Sequence, residues 1–116
     1  GDDVPSVNAA ASFSEALVEM NQKGLGMTAV VDGDRVVGVF TDGDLRRTLN
    51  QFDEIKSQPI AALATKNPIM IEVNKMAVEA AQIMETHKIH SLLVVNDENE
   101  LVGALNIHDL LRAGVV

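Results

Sequence analysis

Cysteine is absent from the 116 residues, as are tryptophan and tyrosine, and phenylalanine occurs only three times. Without thiols there are no disulfides, no thiolate metal ligands and no cysteine nucleophile, a composition that fits a reducing, cytoplasmic setting. So few aromatic rings leave no platforms on which nucleic-acid bases could stack in series. Positive charge is scarce too: 9 Lys and Arg stand against 17 Asp and Glu, a formal net charge of −8. Such a surface repels polyanions at long range, which argues against nucleic acid and anionic membranes as partners. No apolar run approaches the roughly 20 residues that span a bilayer, and the N-terminus lacks a signal-peptide pattern, so a soluble protein is expected. A small anionic ligand stays compatible with the acidity. Backbone N–H groups and one or two bases in a cleft are enough to hold a phosphate.

What the chain does contain is a repeat. At an offset of 64 residues, Glu15–Met20 ("EALVEM") lies on Glu79–Met84 ("EAAQIM"), and Ala29–Asp32 ("AVVD") on Leu93–Asn96 ("LVVN"). One extra residue in the second turn moves the offset to 65. Val37-Gly38 then meets Val102-Gly103, Asp44 meets Asp109 and Arg47 meets Arg112.

Each copy reads as β-α-β-β-α. Short extended stretches at 4–7 and 69–73 precede helical spacing of Phe13, Ala16, Leu17 and Met20, and of Ala77, Ala80, Ala81 and Met84. Ser12 with Glu15 forms a capping-box pattern, and Asn74 is the expected cap in copy two. Asp-Gly-Asp at 32–34 and the stretch 96–100 join pairs of apolar runs as hairpins. Final helices are expected near 41–43 and 106–108. The chain therefore divides into a first repeat over 1–49, a polar linker over 50–67 with one short helix near Ile60–Ala64, and a second repeat over 68–116. The fold class is α/β of the α+β kind. Neither copy of about 50 residues buries its sheet face alone, so the two are expected to pack as a pseudo-twofold pair with two equivalent clefts.

The junction "GVFTDGDLRR" (38–47) carries the chemistry. A strand ending at Thr41 and a helix starting near Gly43 present backbone N–H groups at a positive helix end, where anions bind. Thr41 can donate to a phosphate oxygen, and Gly43 permits close approach to the backbone. Asp44, acceptor-only when ionised, suits the two hydroxyls of a ribose. The competing reading is plain capping, with Thr41 and Asp42 closing the helix end and Asp44 favouring its dipole.

With its Gly-x-x-Thr-x-x-Asp ending, the repeat resembles a tandem cystathionine-β-synthase (CBS) domain pair, a Bateman module, over nearly the whole chain. More narrowly, "LGMTAVVD", "GVFTDGDLRR" and "HDLLRAGVV" resemble the C-terminal regulatory part of bacterial arabinose-5-phosphate isomerases. The resemblance implies a fused sugar-isomerase (SIS) domain, which is not in this sequence, and a role in supplying the lipopolysaccharide sugar Kdo. It implies that Asp44 binds ribose and Thr41 phosphate. In copy two Asn106 stands for the threonine while Asp109 is kept, and His90 precedes the middle strand where copy one has Gly26. One cleft thus carries Thr41, Gly43 and Asp44, and the other His90, Asn106, His108 and Asp109. The implied effector is an adenine nucleotide or the end product CMP-Kdo, and the implied assembly a homodimer through helical faces. The alternative is a purely structural oligomerisation module without ligand.

Other features take ordinary readings. His87, His90 and His108 lack cysteine or a convergent carboxylate, so no metal site is expected. His90 and Ser91 are neighbours whose side chains diverge on a strand, which speaks against a catalytic set. The methionines are mostly core filler. Arg46 and Arg47 sit on a solvated helix face by default, with a phosphate gate as the other reading.

Overall fold

A computed structural model describes residues 4–23, 26–75 and 77–112, apart from the side chains of Lys23, Asp109 and Arg112. The chain is α+β and divides into two compact units, one running to Pro68 and the other from Ile69. Both follow the β-α-β-β-α order of the repeat.

The first unit contains β1 (Ser6–Asn8), α1 (Phe13–Lys23), β2 (Met27–Asp32), β3 (Arg35–Thr41) and α2 (Asp42–Thr48). A crossover through α1 makes β1 parallel to β2, whereas the two-residue turn after Asp32 makes β3 antiparallel to it. Gly33 sits in that turn at φ +64°, a conformation that costs glycine nothing. Helix α1 opens with the expected capping box: the Glu15 N–H donates to Ser12 Oγ at 3.2 Å, and the Ser12 N–H donates back to Glu15 Oε1 at 3.5 Å.

Residues 50–67 are more structured than a polar linker with one short helix. A 3-10 turn over Leu49–Gln51 leads into α3 (Phe52–Ile55), a second 3-10 turn covers Ile60–Ala62, and β4 (Thr65–Lys66) pairs antiparallel with β3. The segment folds because its isolated apolar residues have a core to enter. Ile55 and Ile60 are buried with Phe13, Ala16, Met20, Val30 and Phe40, and Phe52 and Leu63 pack against them. Phe13 is the hub, meeting Phe40 edge-on at 5.4 Å and Phe52 at 5.7 Å between ring centroids.

The second unit contains β5 (Met70–Glu72), α4 (Ala77–His87), β6 (Ser91–Val95), β7 (Leu101–Asn106) and α5 (Ile107–Arg112). β5 runs parallel to β6 and β7 antiparallel to it, over a core of Ile71, Ala80, Ala81, Met84, Leu92 and Leu110. The longer hairpin turn is organised by Asn96, whose Oδ1 accepts the N–H groups of Glu98 at 3.0 Å and Glu100 at 2.9 Å. Asn74 lies in a turn closed by the Lys75 N–H on the Glu72 carbonyl, three residues ahead of Ala77; Met76 lies outside the described residues. The apolar stripes of α1 and α4 are spent on their own cores, leaving Val18 and Val78 among the exposed apolar residues.

Candidate functional site

Where β3 runs into α2, Thr41 is still extended (φ −118°, ψ 167°) and the next residue is helical. Its hydroxyl accepts the Asp44 N–H at 3.2 Å, while the Asp44 carboxylate accepts the Thr41 N–H at 3.0 Å and the Thr41 hydroxyl at 3.1 Å, all on Oδ2. The capping reading is thus realised in full, with Asp44 filling the place that Glu or Gln usually takes. Oδ1 receives the guanidinium of Arg47, one turn on. The Thr65 hydroxyl lies 3.4 Å from both carboxylate oxygens. Asp44 is only 6% exposed, so this carboxylate is the buried centre of a polar corner built from β3, α2 and β4.

The strand register gives the corner its apolar wall. Thr65 pairs with Val39, and Thr41 lies two residues along β3, so all three side chains stand on one face of the sheet. Gly38 lets β4 come this close: a Cβ there would stand 3.0 Å from the Thr65 carbonyl oxygen. At Gly43 no such pressure exists. A Cβ would make only ordinary contacts, 3.6 Å from Thr41 Oγ1 and from one Arg47 nitrogen, so the interior does not demand glycine there. A buried acceptor, two hydroxyls, an apolar strip and two guanidinium groups beside Gly43 can together hold a hydroxyl-bearing anion.

The second repeat keeps the same scaffold with different side chains. In copy one the Asp42 N–H donates to the Gly26 carbonyl at 2.9 Å; in copy two the Ile107 N–H donates to the His90 carbonyl at 2.8 Å. Beside each latch is a cavity on the helix side of the sheet. One of about 400 Å³ is lined by Leu17, Met20, Asn21, Gly26, Asp42 and Leu45. The other, about 530 Å³, has His90, Lys88 and Glu85 at its rim and Met84, Ile107 and Leu111 among its walls. Asn106 stands opposite Ser91 across the β6–β7 pair, on the face turned away from core residues Leu92 and Leu105. Thr41 and Asp44 are therefore brought into contact, whereas His90 lines the helix-side cavity and Asn106 takes the opposite face. His108 is exposed on α5, and the side chain of Asp109 lies outside the described residues. Reading the sequence missed Thr65 as a member of the Asp44 corner and Ser91 as the cross-strand partner of Asn106. No local spacing marks either; only strand pairing brings them in. Among the described residues no group of three or more His, Asp or Glu side chains is placed to hold a metal, and no helix is long and apolar enough to cross a membrane.

Two copies of one β-α-β-β-α unit, each with a latched strand-to-helix junction, define a tandem-repeat module. A family model for the CBS domain matches residues 1–51 and again 60–116, and the chain belongs to the CBS domain family. Among curated proteins it is 44% identical over 117 aligned residues to arabinose 5-phosphate isomerase KdsD of Pseudomonas aeruginosa. It is 42% identical to KdsD of Escherichia coli K12. All of this chain is covered in both, but only 36% and 35% of the isomerases, so the chain spans about a third of their length. Among solved structures, a CBS domain protein of Pyrobaculum aerophilum complexed with AMP superposes with a TM-score of 0.81 at 28% identity, over 92% of this chain and 82% of that one. CBSX2, also solved with AMP, shares the fold at a TM-score of 0.85 and 24% identity, over 98% of this chain and 89% of that one.

Proposed function

We propose that this CBS pair is the regulatory part of a sugar-phosphate isomerase that interconverts arabinose 5-phosphate and ribulose 5-phosphate, the step that feeds Kdo and lipopolysaccharide synthesis. Its task is to bind a nucleotide-type effector and bias a fused SIS catalytic domain. The repeats are 1–49 and 68–116 about the segment 50–67, and two such chains associate as a homodimer. The first cleft uses Thr41, Gly43 and Asp44; in the second, Asn106, His108 and Asp109 are the counterpart set, and His90 serves the helix-side cavity on the other face of the sheet. The observation that carries this reading is the buried Asp44 carboxylate between two threonine hydroxyls, in a chain 28% identical to a CBS protein solved with AMP. An effector that prefers one arrangement of the repeats shifts the attached domains by linkage.

Adenine nucleotides and CMP-Kdo are the two effector classes to separate. A thermal-shift and calorimetry panel of ATP, AMP, CMP and CMP-Kdo does so, with saturable binding of at least one expected. A second reading has its own support. Both oxygens of Asp44 already have partners within the chain, as a purely structural assembly module would require. A flat response to all four compounds favours that reading.

A further inference from the structure

The two oxygens of Asp44 are held by different kinds of group. Oδ2 serves the capping box, bonded to the Thr41 N–H at 3.0 Å and the Thr41 hydroxyl at 3.1 Å; both donors are fixed by the turn from β3 into α2. Oδ1 is held by Arg47, and the Thr65 hydroxyl lies 3.4 Å from both oxygens. The Arg47 side chain is 69% exposed, against 7% for that of Asp44. An exposed guanidinium on a flexible stem, paired three residues along a helix, is weakly held. Its other nitrogen already lies beside Gly43, 3.6 Å from where a Cβ would stand, and the Arg46 guanidinium lies 3.9 Å from the same point. Gly43 is thus within reach of both guanidinium groups, and Arg47 touches its surroundings with one nitrogen while holding Asp44 with the other.

We infer that Arg47 is an exchangeable plug: it occupies Asp44 Oδ1 when the site is empty, yields that oxygen to a ligand hydroxyl, and re-pairs with the ligand's phosphate. This rests on the reading of Asp44 as the ribose-binding group and deepens it by assigning what selects a nucleotide over a nucleoside. A neutral nucleoside must break the Arg47–Asp44 pair and gives the guanidinium nothing in return. A nucleoside monophosphate replaces one charge-assisted contact with another.

The test is calorimetric titration of the 116-residue chain with AMP and CMP, each beside its nucleoside, for wild type, Arg47→Ala, Arg35→Ala and Asp44→Asn. Arg35 begins β3, at the far end of the strand from Thr41, and its removal controls for net charge. Arg47→Ala is expected to lower the preference for monophosphate over nucleoside by about tenfold, the scale of one charge-assisted hydrogen bond, with nucleoside affinity unchanged or raised. Arg35→Ala is expected to keep the wild-type preference. An unchanged preference in Arg47→Ala overturns the plug, and loss of affinity in Asp44→Asn at the same time leaves the ribose reading standing. Wild-type binding by Asp44→Asn overturns that reading and the plug with it, as does failure of every probe to bind the wild-type chain. Circular dichroism checks that each variant is folded, and Asp44→Glu substitutes should the Asn variant not fold.

Discussion

The Thr65 hydroxyl stands 3.4 Å from both carboxylate oxygens of Asp44, a residue twenty-one positions earlier in the chain. β4 is only two residues long, yet it carries this contact, and it reaches the corner because Gly38 has no side chain to hold it off. The segment after the first repeat is therefore a wall of the Asp44 corner.

Removing the hydroxyl alone, in Thr65→Val, should leave the fold within about 1 kcal/mol of wild type, since the contact is long and Thr65 is exposed. Nucleotide affinity should nonetheless fall severalfold. Urea melts and calorimetry on the same sample check both; a large stability loss with intact binding would make Thr65 a fold residue only.

Asp44→Ala removes a cap partner and a buried acceptor together. A stability loss of roughly 1–2 kcal/mol is expected from the cap, measured by urea denaturation. Binding should weaken by roughly 1.5–3 kcal/mol, the worth of a charged hydrogen bond. Early melting with normal binding would reduce Asp44 to a cap.

Gly38→Ala tests the corner without touching any of its polar groups. Its Cβ would meet a backbone carbonyl at 3.0 Å, which cannot rotate away as a side chain does. A cost of roughly 1–3 kcal/mol is expected, the usual range for overpacking, with loss of nucleotide affinity as β4 shifts. Wild-type affinity in a folded Gly38→Ala chain would show that β4 does not shape the site.

Phe13→Ala should cost roughly 3–5 kcal/mol, because the ring is fully buried and touches both Phe40 and Phe52. Limited proteolysis should then cut first within 50–67, whose burial depends on that hub. Cleavage starting inside the second unit instead would contradict this order.

The homodimer is checked by light scattering at micromolar concentration, where a mass twice 12.4 kDa is expected. Val18, 57% exposed on α1, is the residue whose change to Asp should move the mass toward monomer. A monomer mass for wild type at high concentration would count against the dimer.

Much of this was legible because the informative relationships are short. Thr41 and Asp44 are three apart, as are Ser12 and Glu15, and a cap is written in the residues that form it. The β-α-β-β-α order was legible because the chain states it twice. Segment 50–67 was legible only in its short helical turn, found at Ile60–Ala62, because Phe52, Ile55, Ile60 and Leu63 are scattered among polar residues with no sustained period. Each is buried by a partner far away in sequence rather than by a neighbour. The same limit hid Thr65 and Ser91, which acquire their place from register alone. His90 and Asn106 carry suitable chemistry, but which sheet face each serves is fixed by strand pairing, to which single-residue chemistry is blind.

Three residues, Asn67, Pro68 and Ile69, join the end of β4 to the start of β5. Asn67 is at φ +54°, in the left-handed region that asparagine tolerates, and the proline ring fixes the next torsion. A link this short spans at most about 3.6 Å per residue and has two stiff torsions in succession. Two restrained torsions directly after Lys66 leave β4 little freedom to swing away from β3, so the stiffness that keeps Thr65 beside Asp44 is built into the backbone that follows it.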